Sequence, residues 1–238
     1  MTYGFVALTL FVAAGAVGLV RVAARAAGAS DDAVRSLTRR AAAVLALHLA
    51  ATALLAWAGA LWFGRVPPTM ALLILATLAA SIWCARSRFG RMLADATPLE
   101  LLVGFQAFRL PLEVVMHRAA VEGVMPPQMS YSGLNFDIVT GASAMVVALL
   151  LPRLPSARAR VAVAGVWNVV GSLLLLNVLT IAVLSAPTPL RTFHNEPANV
   201  WITHAPFVWL PELLVPFALI GHLMIFRRLR GGLRGDHE

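Results

Sequence analysis

Residues 97–122 read TPLELLVGFQAFRLPLEVVMHRAAVE, an apolar stretch of membrane-spanning length that nevertheless holds Gln106, Arg109, Glu113 and His117. Their spacings put all four side chains on one face of a helix. Ionisable groups at membrane depth are costly, so they face a bundle interior or a wet cavity and mark a functional site. Arg109 and Glu113, one turn apart, are placed to form an internal ion pair that lowers the cost of both charges, with His117 one turn further out as a titratable group. Such a pair either fixes helix register or forms a site. In a site, the arginine fork would hold a carboxylate, phosphate or quinone oxygen while Glu113 or Glu212 exchanges a proton.

Composition sets the class around this stretch. Apolar residues make up 60% and charged residues 13% of 238 residues, against roughly a quarter charged in soluble domains, so the chain reads as an integral membrane protein of one domain, 1–238. All 19 basic residues are arginine. Chemistry that needs a lysine amine, such as a retinal or pyridoxal Schiff base, is excluded. The net charge of +8 is carried by arginines beside hydrophobic spans rather than by a basic domain, which points to a lipid bilayer and away from nucleic acid. The single cysteine, Cys84, rules out an internal disulfide, a Cys-x-x-Cys pair or a c-type haem attachment, and reads as a small buried apolar residue.

Apolar windows fall at about 3–22, 41–63, 67–85, 98–121, 136–152, 160–184 and 206–226, most near the ~20 residues that a bilayer demands. The first has Arg21 and Arg25 after it and no positive charge before it, the reverse of a secretory signal, so it is expected to be a retained helix with its N-terminus outside. Arginine placement tests the charged fourth window. With seven spans, fifteen arginines (21, 25, 35, 39, 40, 86, 88, 91, 153, 158, 160, 227, 228, 230 and 234) flank one side, Arg65, Arg118 and Arg191 flank the other, and Arg109 lies within. Without the fourth span the split is eleven to eight. The first distribution obeys the positive-inside rule and the second does not. The expected fold is therefore all-α, a seven-transmembrane-helix bundle with the N-terminus outside and the C-terminus cytoplasmic. Trp57, Trp62, Trp201 and Trp209 would then form an outer aromatic belt.

Local signals fill in the elements. Ser30, Asp31 and Asp32 suit a helix N-terminus after the first span, and Thr97, Pro98 and Glu100 predict a capping box at the start of the fourth. Both long polar loops, 122–135 and 185–205, fall on the outer side. The first carries adjacent prolines and Gly133, with Asn135 or Asp137 available to cap the fifth span. The second carries Arg191, His194, Asn195, Glu196, Asn199 and His204, more hydrogen-bonding groups than a linker needs, although ordered loops that only tie helix ends together would look similar. The last span spaces Pro206, Pro211 and Pro216 five apart and holds Glu212. Prolines there free carbonyls and break the helix, as in segments that line substrate sites. Asn168 and Ser172 read as interhelical glue, and Asn177 lies nearer the outer site. His48 and His222 could sandwich a b-type haem, or be satisfied by carbonyls.

Three classes of function stay open. One is a bundle that binds or translocates a small anionic or amphipathic ligand in a polar intramembrane pocket open to the outer side, built from Gln106, Arg109, Glu113, His117, Asn135, Asp137, Asn177, Arg191, Asn195, Glu196, Asn199 and Glu212. A second is a membrane-embedded metal-dependent hydrolase of a lipid-linked substrate, with His117, His194, Glu196, His204 and Asp137 as ligands. The absence of His-Glu-x-x-His and Gly-x-Ser-x-Gly patterns weighs against it. The third is a structural subunit that pairs with other membrane chains. No catalytic residue or cofactor is assigned.

The stretches FRLPLE, YSGLNFDIVTG, LSAPTPLRTFHNEPAN and PFVWLPELLVP resemble segments of a family of bacterial polytopic membrane proteins usually labelled hypothetical. The resemblance spans roughly residues 105–222. It implies a bacterial inner-membrane location and draws interest to Arg109, Glu113, Asn135, Asp137, Arg191, Asn195, Glu196 and Asn199. It brings no activity with it.

Overall fold

A computed structural model describes residues 1–235 of the chain; the side chain of Arg234, counted above, lies outside those described. Helices carry the described residues, with no strand among them. In chain order they are α1 (Thr2–Ala26), α2 (Asp31–Trp57), α3 (Thr69–Arg86), α4 (Arg88–Ala96), α5 (Leu99–Phe105), α6 (Arg109–Val121), α7 (Ile138–Leu150), α8 (Ala157–Ser185) and α9 (Val215–Gly235). Five segments are long and apolar enough to cross a membrane: α1, α2, α3, α8 and Leu210–Gly231.

The stretch 97–122 is helical but broken. A 3₁₀ turn over Gln106–Phe108 separates α5 from α6. Pro111 supplies the reason, because its ring nitrogen cannot donate to the Ala107 carbonyl one turn back, and the tighter turn absorbs the missing bond. The expected capping box does not form. Pro98 is the N-cap of α5 and makes no side-chain bond, while the buried Thr97 hydroxyl has no partner among the described residues. Proline at the cap lacks the side-chain acceptor that the box requires. Ser30 does cap α2, accepting from the Ala33 amide, and the capped segment runs on into the span as one helix.

Proline also shapes the last span. Leu210–Leu214 forms a π turn that leads into α9. Of the Leu210–Gly231 window 67% is buried, against 28% or less in the other four, so this segment is the central post of the bundle. Around it pack α3, α4, α5 and α8. Apolar cores form toward both ends of the axis: Phe5, Met70, Leu112, Met116 and Leu213 in one, Val20, Ala94, Val103, Trp167 and Ile225 in the other. The tryptophans divide instead of forming one belt. Trp57 is exposed, whereas Trp201 is buried and Trp209 donates to the Leu49 carbonyl inside the bundle.

One close approach positions the site. A Cβ at Gly141 of α7 would overlap the Arg109–Leu110 backbone of α6, so glycine lets the two helices touch backbone to backbone where Arg109 emerges.

Candidate functional site

The Arg109 guanidinium lies in the bundle interior, 1% exposed, and its partner is Asp137, not Glu113. Nε donates to Asp137 Oδ2 at 2.5 Å and Nη2 to Oδ1, a bidentate pair. Asp137 stands at the N-cap of α7 but makes no capping bond, since both its oxygens are turned to the arginine fork. The expected pair one turn apart is thus replaced by a pair across the α6–α7 seam. Carboxylate and guanidinium can there meet fork to fork.

His222 completes the arginine's surroundings. Its Nε2 accepts from Arg109 Nη1 at 2.7 Å and its Nδ1 donates to Asn168 Oδ1 at 2.8 Å. Asn168 Nδ2 returns a bond to the His222 carbonyl at 3.1 Å. Both ring nitrogens are thus engaged by side chains of the bundle. His48 lies elsewhere, against Glu212. Asn168 acts between helices as expected, but Ser172 bonds its own helix at the Asn168 carbonyl.

Glu113 is held by Asn135. The Asn135 amide nitrogen lies 2.9 and 2.8 Å from the two Glu113 oxygens and 3.0 Å from the Met129 carbonyl, while its oxygen accepts from the Asp137 amide at 2.9 Å. One side chain therefore joins the loop 122–137 to the Glu113 carboxylate and to the Asp137 backbone amide. All four residues are buried.

Arg109, Glu113 and Asp137 line a cavity of about 880 Å³. Its walls are otherwise largely apolar: Ala71, Ile74 and Leu75 of α3, Leu112 and Met116 of α6, Leu175, Leu179 and Ala182 of α8, and Leu210, Leu214 and Ala218 of the central post. Residues 63–66 and 186–190 form its rim, with Asn199 and Ile202 beside them. The segment 63–66, including Phe63 and Arg65, was not among the sequence candidates. Its signal is faint, a short Gly-Arg step between two apolar windows.

The other candidates lie at varying distance from this cavity. Gln106 is fully buried, and its amide has no partner among the described residues; it lies against Gly221 and does not line the cavity. His117 stacks on Tyr131 at 4.4 Å and lies 2.8 Å from Ser130 Oγ. Asn177 donates to the Leu134 carbonyl at 2.8 Å. Arg191 holds its own loop, donating to the carbonyls of Phe193 and Asn195 and to Glu196 Oε1 at 3.0 Å. Asn195 joins the two long loops by donating to Gln128 Oε1 at 2.8 Å, and Gln128 in turn donates to Ser185. Asn199 donates to the Ala182 carbonyl at 3.0 Å at the cavity rim. Glu212 sits behind the cavity wall in a cluster with Thr77 and His48. The five groups offered as metal ligands do not converge among the described residues. Asp137, His117 and Glu196 are each engaged elsewhere, and His204 lies 3.1 Å from Thr203 Oγ1.

A family model described as a domain of unknown function (DUF8737) matches residues 67–230. The chain belongs to this family. The resemblance drawn from the sequence, to a family without an assigned activity, is borne out. No curated protein and no solved structure matches. The DUF8737 region begins just before α3 and takes in the Arg109–Asp137–His222 cluster, Glu113, Asn135 and Glu212. Helices α1 and α2, with His48, lie outside it.

Proposed function

We propose that this DUF8737 protein is a multi-pass protein of a bacterial inner membrane. Its cavity binds, and in a transport cycle passes on, a small amphipathic ligand. The apolar body of that ligand lies among α3, α6, α8 and the central post, and its polar head reaches Glu113. One observation carries the reading: a large cavity with apolar walls meets buried charge at one place, where Glu113, Asp137 and Arg109 stand together. Ligand sites combine these features, apolar lining with a few fixed polar groups.

The head group follows from the inventory of donors and acceptors. Asp137 already takes two arms of the Arg109 fork, so the arginine is poorly placed to seize an anion. Glu113 accepts only from one amide nitrogen, and a carboxylate offers about four lone-pair sites. The excess of acceptors favours a hydroxyl or amine head over a carboxylate or phosphate.

Seven crossings with the N-terminus outside remain the topology we propose. The fifteen-to-three arginine split supports it. So does the helical segment from Leu99 to Val121, interrupted by one 3₁₀ turn, whose 23 residues have a contour of about 34 Å at 1.5 Å per residue. The bilayer is the expected partner, with no role for nucleic acid.

The test is native mass spectrometry of the protein released from its own membranes, followed by additions of dodecanol, dodecylamine and dodecanoate. The expected result is a co-purifying amphiphile, displaced by the alcohol and the amine but not by the acid. Retention of all three alike, unchanged in Glu113→Gln, would overturn the reading. A co-purifying protein chain in place of an amphiphile would turn it toward an assembly subunit.

A further inference from the structure

Glu212 is buried to 1% exposure on the central post, yet its carboxylate faces away from the cavity that its neighbours Leu210, Pro211 and Leu214 line. Its Oε2 accepts from Thr77 Oγ1 at 2.5 Å, and His48 Nε2 lies 3.9 Å from the same oxygen. Oε1 has no partner among the described residues. The backbone draws the histidine in as well. In an α-helix the Glu212 carbonyl would accept from residue 216, and Pro216 has no N–H. His48 Nε2 stands in, 2.8 Å from that carbonyl. Burying an ionised carboxylate with an oxygen left unsatisfied is expensive, and membrane carboxylates in such places belong to proton relays.

We propose that Glu212 is a proton-binding site, loaded through His48, whose occupancy sets the shape of the Leu210–Leu214 turn and so of the cavity wall. His48 is 31% exposed at its side chain and takes a proton from outside the bundle on Nδ1. The charged imidazole turns its Nε2–H from the carbonyl to the carboxylate, closing the 3.9 Å gap; the Nε2–H bond then breaks and an O–H bond forms on Glu212 Oε2, leaving neutral imidazole and neutral carboxylic acid. No electrons move and one proton is gained. The new O–H donates to Thr77 Oγ1, reversing the present bond, and Nε2, now without a proton, no longer donates to the Glu212 carbonyl. The π turn is where this matters, because single-turn π bulges inside helices occur frequently at functional sites.

His48 is the titratable group that faces Glu212 from α2. From α3 come the neutral Thr77 and Ser81, and the charged residue of that helix, Arg86, is at its far end. The ionisable residues of α1, Tyr3, Arg21 and Arg25, lie at its two ends. On the central post, His222 is engaged by Arg109 and Asn168.

The test uses the full chain in lipid nanodiscs, labelled with carboxyl-¹³C glutamate, and infrared difference spectra between pH values. A protonated-carboxyl band should titrate in the parent and in Glu113→Gln and be absent in Glu212→Gln. In Thr77→Val the band should move to higher frequency, which keeps the test open where Glu212→Gln fails to fold. After a pH jump, His48→Asn should slow its appearance at least about tenfold, as loss of a positioned proton donor does. An unchanged spectrum in Glu212→Gln overturns the site, and an unchanged rate in His48→Asn overturns the route.

The link to the cavity rests on the ligand reading above. Dodecanol retention should change several-fold across the titration in the parent and stay constant in Glu212→Gln; constancy in the parent overturns the link. If dodecanol is retained at no pH, the ligand reading falls while the infrared result still decides the proton site.

Discussion

Asp137 receives two arms of the Arg109 guanidinium from 28 residues away in the chain, while Glu113, one turn along from Arg109, is left to the Asn135 amide. The buried positive charge is thus neutralised across a helix seam and a second carboxylate is kept for other use. Breaking such a pair leaves a buried charge uncompensated, at about 3–5 kcal/mol. Arg109→Met and Asp137→Leu should each cut the folded yield and the thermal midpoint in detergent. The double variant should recover more than half of either loss.

Glu113→Gln keeps an acceptor for Asn135 and should change stability by about 1 kcal/mol or less. Retention of dodecylamine should fall at least tenfold in native mass spectrometry while the protein stays monodisperse. A collapse of folding would instead mark Glu113 as structural.

Filling the cavity separates binding from packing. Leu179→Trp projects a larger side chain into the space beneath the rim, and because the space is already open its strain should stay below the about 1–3 kcal/mol typical of overpacked cores. Amphiphile retention should drop with the thermal midpoint nearly unchanged.

Gly141→Val should do the opposite. Its side chain would overlap the Arg109–Leu110 backbone, and the α6–α7 seam must open to admit it. A loss of about 1–3 kcal/mol is expected, together with exposure of the Arg109–Asp137 pair, measurable as faster hydrogen exchange at Leu110.

The 185–205 loop carries its own pH dependence. The Arg191 guanidinium, with the Ala198 amide, holds the Glu196 carboxyl below the usual range. A lowered value in the folded loop means that its contribution is complete above the ordinary glutamate range and is lost as pH falls through the lowered value. Protection of the Ala198 amide, corrected for intrinsic exchange, should therefore decline on acidification in the parent and be flat with pH in Glu196→Gln.

Much of the architecture was legible in the sequence. Hydropathy located the long helices, and Ser30 marked a cap that forms. The helical spacing of Gln106, Arg109 and Glu113 placed all three in the buried interior, with Gln106 apart from the cavity. What it could not reveal was which carboxylate the arginine chooses, because spacing along a helix reports only neighbours on the same helix. Asp137 was noted as a cap for the fifth span, and nothing local tells a capping carboxylate from one that reaches across a seam. The prolines of the last span signalled a break without its kind. The position of Pro216 four residues after Glu212 becomes informative only once His48 is seen at the freed carbonyl. The rim at 63–66 was missed because its role depends on α3 and α8 facing each other across the cavity.

On the proposed seven-crossing topology, the contact of α6 with α7 through Gly141 also bears on how the chain would enter its membrane. Arg109 or Asp137 presented singly to hydrocarbon would each cost about 2.5–3.5 kcal/mol at the insertion step. Presented as a pair, with helix backbones touching, they enter as a closed salt link. On that topology, the fourth and fifth crossings would form one unit of biogenesis, a hairpin received whole by the insertion machinery, with the loop 122–137 that Asn135 organises as its hinge.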